Sequence, residues 1–364
     1  HTGAKTCLVT TSGNKDVLFI GRVAQKVAGL SERELIHQTA LKKADPPLID
    51  PLHSWEVSER IDFQGKVVVS LNVKEVEKVV ENIKDNDIEA VAISCLWSFL
   101  NNSHEEEIKK IIEEKIPGIY LCISSEVAPL IGEYERTVTT VLSAYIAPKL
   151  IEYLKKLQDK LQQRGYKKQM LIAHSMGGLS SLDEVTHRPL LTLDSGPAGG
   201  VLGTRNFGSI YNEPNIIAVD MGGTSFDVSL IHNSEISLDE RPVIGQYTFL
   251  TPKIATYSIG AGGGSIVWID PYGIPQVGPQ SAGASPGAVC YDMGGKEPTV
   301  TDVDLALGYL SPDYFLEGRQ KLNKAKAEAA LDRLARKLGL DVIQTAMGAF
   351  KIVNSHMADL VRKV

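Results

Sequence analysis

Between residues 73 and 125 the spacing of apolar positions switches back and forth. In "VKEVEKVVENIKDN" Val73, Val76, Val79 and Val80 fall at helical spacing, whereas "IEAVAISCLW" is a continuous apolar run of strand length. "SHEEEIKKIIEEKI" returns to helical spacing, with Ser103 as the expected N-cap and Glu106 three residues on, and "GIYLCISSEV" reads as a strand again. Upstream, "KTCLVTT" predicts a strand and "SGNKDVLFIGR" a turn leading into a short element. Residues 31–70, broken by Pro46, Pro47 and Pro51, read as a polar surface excursion. A long helix is predicted in "YERTVTTVLSAYIAPKLIEYLKKLQDKLQQRG", kinked near Pro148, where the ring removes a backbone donor. Strands and helices in alternation predict an α/β layer architecture.

Further along, "QMLIAHSMGGLSSLDEV" predicts a strand, a tight turn and a short helix. "LLTLDSGPAGGVLGTRNFG" predicts a strand and a small-residue helix able to pack closely. "NIIAVDMGGTSFDVSLI" reads as a buried strand ending in Asp220, a turn through Gly222, Gly223, Thr224 and Ser225, and a second strand. Alternation on that second strand puts Ser225, Asp227 and Ser229 on one face. Strands and loops follow to residue 270, then a long Gly/Pro loop from "PYGIPQVGPQ" to "PTVTD", then helices over 322–339 and 342–363.

With 364 residues, 43% of them hydrophobic, the chain is long enough for two or three cored domains. Thirty-eight basic and forty-four acidic side chains leave a net charge of -6, without the basic footprint of a nucleic-acid binder. The longest apolar run, "AVAISCLWSFL", falls short of a membrane span. Cys7, Cys95, Cys122 and Cys290 are scattered without C-x-x-C spacing, which argues for reducing cytoplasm and against a zinc site or disulfide framework. No leader-like segment precedes "HTGAKTCLVTT", and the chain stops inside a predicted helix at "HMADLVRKV"; both features suggest a fragment.

The 215–231 stretch carries the clearest chemistry. Gly222 and Gly223 let the backbone turn and leave N–H groups open to a phosphate, and Thr224 and Ser225 add hydroxyl donors. Asp220 and Asp227 would repel a bare phosphate but suit a hydrated Mg2+, which keeps several waters and takes one or two carboxylates. The bland alternative is a hairpin with two solvated acids. "SIGAGGGSIVW", with Gly262, Gly263 and Gly264, is too glycine-rich for a helix interior, so its backbone is expected to be the working surface. A rival site is "LIAHSMGG", resembling a nucleophile elbow with Ser175 as a serine-esterase nucleophile; the competing reading is a tight βα turn. The histidines form no zinc-binding pattern and most are expected at the surface. "HEEEIKKIIEEK" is expected to be a solvated helix face with Glu105–Lys109 and Glu106–Lys110 pairs.

Residues 196–231 resemble the helix and second phosphate loop of the actin, sugar-kinase and heat-shock ATPase superfamily. Within it, the chain looks most like the hydantoinase/oxoprolinase A-type family. The strings that carry this are "GAKTCLVTTSGNKDVLFIGR", "EYERTVTTVLSAYIAP", "RPLLTLDSGPAGGV", "DMGGTSFDVSLI", "IGAGGGSIVWID", "VGPQSAGASPGAVCY" and "PTVTDVDLALGYL". The resemblance implies an α/β fold of actin-like (ribonuclease H-like) ATPase lobes, incomplete at both termini. The first lobe, with an inserted α/β region, would cover 1–214 and the start of the second lobe 215–364.

The resemblance also implies a cytoplasmic enzyme that uses ATP to open a cyclic amide of the hydantoin or 5-oxoproline type by phosphorylating its carbonyl oxygen. It would work beside a B-type subunit, with a homo-oligomer as a further option and no nucleic-acid or membrane partner. Asp220 and Asp227 would serve catalysis and hold Mg2+, and Gly222, Gly223, Thr224, Ser225, Gly262, Gly263 and Gly264 would bind ATP. A ketone carboxylase subunit and a non-catalytic ATPase-fold subunit stay open as alternatives. The sequence departs from the family pattern in three ways. A first phosphate loop upstream and an adenosine segment downstream are expected but not contained in it. Ala255, Thr256, Tyr257 and Ser258 stand where the family has Asp-x-His-Thr, and Met176 replaces an Asn. On this pattern, the chain by itself would bind ATP weakly or not at all.

Overall fold

The apolar run Thr6–Thr11 forms β1, buried at every position, and it sits inside a parallel sheet. The computed structural model describes residues 3–22, 36 and 47–364. The chain groups into two units: residues 1–198 with 238–254, and residues 199–237 with 255–364.

In the first unit β1 pairs with β2 (Ser54–Val57) on one side and β3 (Ala90–Ser94) on the other, and β3 pairs with β4 (Tyr120–Ile123), all parallel. The crossovers are α1 (Val73–Asp85) and α2 (Ser103–Lys115), and α3 (Glu133–Gln163) follows β4. Alternation along the strands divides the core in two. Cys7, Val9, Val91 and Ile93 pack against Val76, Val79 and Ile83 of α1 and Ile108 and Ile112 of α2. Leu8, Ala90 and Ala92 face Val138, Val141 and Leu142 of α3. Each of these valine, leucine and isoleucine side chains contributes about 1.5–3 kcal/mol on burial. The helix α3 runs on through Pro148.

Several expectations change here. The strand β2 lies inside the supposed surface excursion; its four residues carry no apolar run, and pairing with β1 fixes it. The expected excursion otherwise falls partly on residues 31–35 and 37–46, outside the described residues. Asn102, rather than Ser103, occupies the N-cap of α2, and no side-chain cap bond forms there. The "HEEE" face is not solvated. The fully buried Glu105 carboxylate accepts from Cys95 N (2.8 Å), Ser124 Oγ (2.6 Å) and Ser125 N (3.0 Å), backbone and hydroxyl donors at the ends of β3 and β4. Lys109 instead bridges to Glu126 at 2.8 Å, and buried His104 meets buried Glu59 at 2.6 Å.

The "HSMGG" turn joins two short antiparallel strands, Ile172–Ala173 and Leu179–Ser180, so it is not a strand-to-helix elbow. The strand expected in "LLTL" is a 3-10 turn, Pro189–Thr192, with proline at its start. The helix α4 (Ser195–Tyr211) buries Ala198 and Val201. Nothing described lies within 4 Å of where a Cβ would stand on Gly199, Gly200 or Gly203, so that small-residue face is open instead of closely packed.

In the second unit β5 (Ile216–Met221) and β6 (Phe226–His232) form the expected hairpin, and β6 also pairs antiparallel with β7 (Tyr257–Ile259). The strands β8 (Ser265–Ile269) and β9 (Pro275–Ser281) pair with each other, and β9 replaces the start of the predicted Gly/Pro loop; its prolines suit a strand with one unpaired edge. Three helices complete the unit: α5 (Val300–Ala306), α6 (Lys324–Leu338) and α7 (Val342–Lys363). Asn323 caps α6 through Lys326 N, Gly339 ends it in the left-handed region, and Asp341 with Gln344 forms a capping box on α7. The core brings Phe226 and Val228 of β6 against Val267, Val277, Val303, Leu331 and Ala349.

The strand β5 is not buried as expected: Ile217, Val219 and Met221 are 46%, 58% and 46% exposed. Among the described residues it pairs only with β6, and while Ile216 lies against Gly208 of α4, the face carrying Ile217, Val219 and Met221 is left exposed.

Candidate functional site

The hairpin register sets the site. Asp220 stands directly across from Asp227, and Met221 across from Phe226, leaving Gly222, Gly223, Thr224 and Ser225 as the connecting turn. Gly222 N donates to Ser225 O at 2.9 Å and closes it. The N–H groups of Gly223 and Thr224 and the Thr224 hydroxyl take part in no hydrogen bond among the described residues. An exposed turn with undirected N–H donors is what a phosphate oxygen needs.

The glycine-rich loop that follows β7 is pressed onto this turn, main chain against main chain. Gly263 N donates to Gly222 O at 3.1 Å and Gly264 N to Gly223 O at 2.6 Å. A Cβ on Gly262 would stand 2.7 Å from Gly222 O, Gly223 C and Thr224 N, and one on Gly264 would stand 2.8 Å from Gly223 O. These two glycines are required by close approach. The loop is held in turn by Thr301 at the start of α5, whose N and Oγ1 both donate to Gly263 O at 2.8 Å, and by Ser265 Oγ, which accepts from Gly262 N at 2.8 Å.

The two carboxylates differ in setting. Asp227 is half-buried and accepts hydrogen bonds from Ser225 Oγ (3.1 Å) and from Ser258 Oγ on β7. Asp220 is exposed, and no described group bonds its side chain. Like charges directly opposite on paired strands repel. A hydrated divalent cation beside Asp220 would offset that repulsion, so the donor set fits Mg2+, with Asp227 oriented to act through water. No group of three or more His, Cys, Asp or Glu side chains is assembled for a metal among the described residues, so any cation site here rests on this pair.

All seven glycine and hydroxyl residues expected to line the nucleotide therefore lie in one place, with Asp220 and Asp227 at its edge. Sequence reasoning missed Ser258 and Thr301. Ser258 stood out only as a departure from the family pattern, yet its hydroxyl fixes Asp227. Thr301 gave no local signal, because its partner is 38 residues away. The esterase reading loses its geometry: Ser175 is 1% exposed and its hydroxyl points to Pro252 O at 3.5 Å. No helix among the described residues is long and apolar enough to cross a membrane.

Residues 136–364 match the family model described as Hydantoinase/oxoprolinase, and residues 1–116 match the Hydantoinase/oxoprolinase N-terminal region. The chain belongs to the hydantoinase/oxoprolinase family. This family member is 39% identical to the acetophenone carboxylase gamma subunit of Aromatoleum aromaticum, over 99% of the chain and 50% of that protein. Its fold matches a nucleotide-free acetone carboxylase, from work on ATP-dependent acetone carboxylation, at a TM-score of 0.88 and 32% identity, covering 99% of this chain and 51% of that one. It also matches the ATP-dependent caprolactamase of Pseudomonas jessenii at a TM-score of 0.72 and 33% identity, over 99% and 51% of the two chains. The mixed α/β architecture is thus that of both solved relatives. The chain spans about half the length of the curated relatives it matches.

Proposed function

We propose that this chain is the nucleotide-handling part of an ATP-dependent enzyme that opens a cyclic amide, built on actin-like ATPase lobes. The observation that carries the reading is the seating of Gly262–Gly264 on the Gly222–Ser225 turn, which leaves N–H donors of Gly223 and Thr224 open beside Asp220. The turn would bind the terminal phosphates through those N–H groups and the Thr224 and Ser225 hydroxyls. Asp220 would hold Mg2+ through water, and Asp227, fixed by Ser225 and Ser258, would orient that water. Bound ATP would supply an activating phosphoryl group to the ring carbonyl oxygen, which makes the amide carbon open to water. The lobes would divide near residues 214 and 215, and a B-type subunit in the cytoplasm would complete the enzyme.

A second reading, activation of a ketone for carboxylation, is favoured by the 39% identity to an acetophenone carboxylase subunit, against 34% to the caprolactamase alpha subunit. Both readings need the same phosphate turn. The test is calorimetric titration with MgATP, followed by turnover of a panel of lactams, hydantoins and ketones with the partner subunit present. Asp220→Ala is expected to abolish Mg2+-dependent ATP binding. An unaltered affinity in Asp220→Ala would remove the hairpin from the reaction.

A further inference from the structure

The two open donors of the phosphate turn are each the last link of a hydrogen-bonded chain of peptide groups. In a trans peptide the C=O of one residue and the N–H of the next point in opposite directions, so a bond accepted by the oxygen is passed on by the nitrogen. Gly264 N donates to Gly223 O at 2.6 Å, and the peptide that carries Gly223 O ends in Thr224 N–H. Gly263 O lies on the same peptide as Gly264 N and accepts from both Thr301 N and Thr301 Oγ1 at 2.8 Å. One relay therefore runs from Thr301 through the Gly263–Gly264 and Gly223–Thr224 peptides to an open N–H. A second has the same form: Ser265 N donates to Gly262 O at 3.0 Å, Gly263 N donates to Gly222 O at 3.1 Å, and the Gly222–Gly223 peptide ends in the open Gly223 N–H.

The relays differ at their heads. The second is main chain throughout. The first begins on a buried side chain, Thr301, which puts its hydroxyl proton on the same carbonyl oxygen as its backbone N–H. That head is fixed from behind. The fully buried Asp302 carboxylate accepts from Thr299 N (2.8 Å), Thr299 Oγ1 (2.9 Å), Val289 N (3.1 Å) and Cys290 N (2.7 Å), and Val267 N of β8 donates to Pro298 O at 2.8 Å. The start of α5 is thus tied to β8 and to the segment around Cys290 with no ligand taking part.

Hydrogen bonds in such a chain strengthen one another by about 10–30% per bond, and an N–H whose own carbonyl is already engaged presents a more positive proton. A charged phosphate oxygen gains most from that proton, because bonds to ionised acceptors are about twice as strong as neutral ones. We infer that Thr301 is a positioning residue of the phosphate turn. Through two intervening peptides it orients and polarises Thr224 N–H toward the terminal phosphate, while touching no ligand itself. The inference rests on the phosphate-binding reading above and adds to it a side chain that the turn does not contain.

The test is amide NMR of the ligand-free chain, isotope-labelled on glycine and threonine, followed by MgATP calorimetry. Thr301→Val removes the hydroxyl donor and keeps the shape, Thr301→Ser restores the donor, and Thr301→Cys keeps a weaker one. The Thr224 amide proton should move upfield in Thr301→Val, return in Thr301→Ser and fall between them in Thr301→Cys. The Gly223 amide, at the end of the main-chain relay, should stay in place throughout. MgATP should bind about threefold more weakly to Thr301→Val, a fraction of one charged hydrogen bond, and as tightly as the parent to Thr301→Ser. A general loosening of the site would move the Gly223 and Thr224 amides together, and that result overturns the inference. So does a Thr224 amide indifferent to the hydroxyl. The two readings fail separately. A Thr224 shift that follows the hydroxyl in a chain that does not bind MgATP sinks the ATP reading alone, and MgATP binding that ignores the hydroxyl sinks the relay alone.

Discussion

Replacing Gly262 by alanine probes the seating of the two loops directly. The added Cβ would stand 2.7 Å from three backbone atoms of the turn, Gly222 O, Gly223 C and Thr224 N. Ordinary contact needs about 3.5–4.0 Å, so the turn and the loop must part by about 1 Å. At that separation the Gly263 N to Gly222 O and Gly264 N to Gly223 O bonds are broken or badly strained, each worth about 1 kcal/mol. Overpacking of a tight site costs about 1–3 kcal/mol in its own right. If about 2 kcal/mol of this falls on the ligand-competent form of the turn, MgATP affinity drops about thirtyfold. Calorimetric titration measures that drop, and a thermal scan measures the accompanying loss of stability. Gly223→Ala is the companion variant: nothing described lies within 4 Å of its Cβ position, so the fold should be unharmed. MgATP should still weaken if a phosphate approaches that main chain closely. Parent-like affinity in Gly262→Ala, with the fold verified, would refute the argument that this contact shapes the phosphate turn.

Two further outcomes follow from ionisable side chains drawn out of water. His104→Leu leaves the Glu59 carboxylate buried with only Thr11 as a side-chain partner, and should cost about 3–5 kcal/mol in urea unfolding, whereas the double replacement of both residues by apolar ones should cost clearly less. Burial pushes the Asp304 carboxyl up to about 6, so between the unfolded value of 3.8 and that value the folded form holds a proton the unfolded chain gives up. Stability from this group is full below pH 4 and lost as the pH rises through 6. Asp304→Asn should therefore flatten the fall in unfolding free energy between pH 4 and 7, measured by urea titration, by about 1 kcal/mol once solvent screening of this partly exposed group is allowed for.

The β/α alternation of residues 73–123 is legible because each element carries its own period, and the hairpin because strand, glycine turn and strand are contiguous. What escapes the sequence is set at long range. The strand β2 is polar enough to pass for loop until β1 pairs with it. Glu105 sits in a helix with good i,i+4 partners, and donors from Cys95, Ser124 and Ser125, elsewhere in the chain, draw it inside. In β5 the apolar alternation is real, but its exposed face shows that pattern alone does not state whether a covering layer is present. At the site, the glycines were readable as permissive backbone; that one loop presses on the other was not, since a missing Cβ leaves no trace of what occupies its place.

The contact between the loops has a consequence for how such a protein can diversify. On both sides the wall of the turn is peptide, with Gly262 and Gly264 meeting the peptides of Gly222 and Gly223. There is no side chain in that contact to exchange for a larger or smaller one. Mutational variation can leave this piece intact or break it, with few graded steps between. A change of reacting carbonyl, from lactam to hydantoin to ketone, would have to be encoded by residues elsewhere, while the hairpin served every version unchanged.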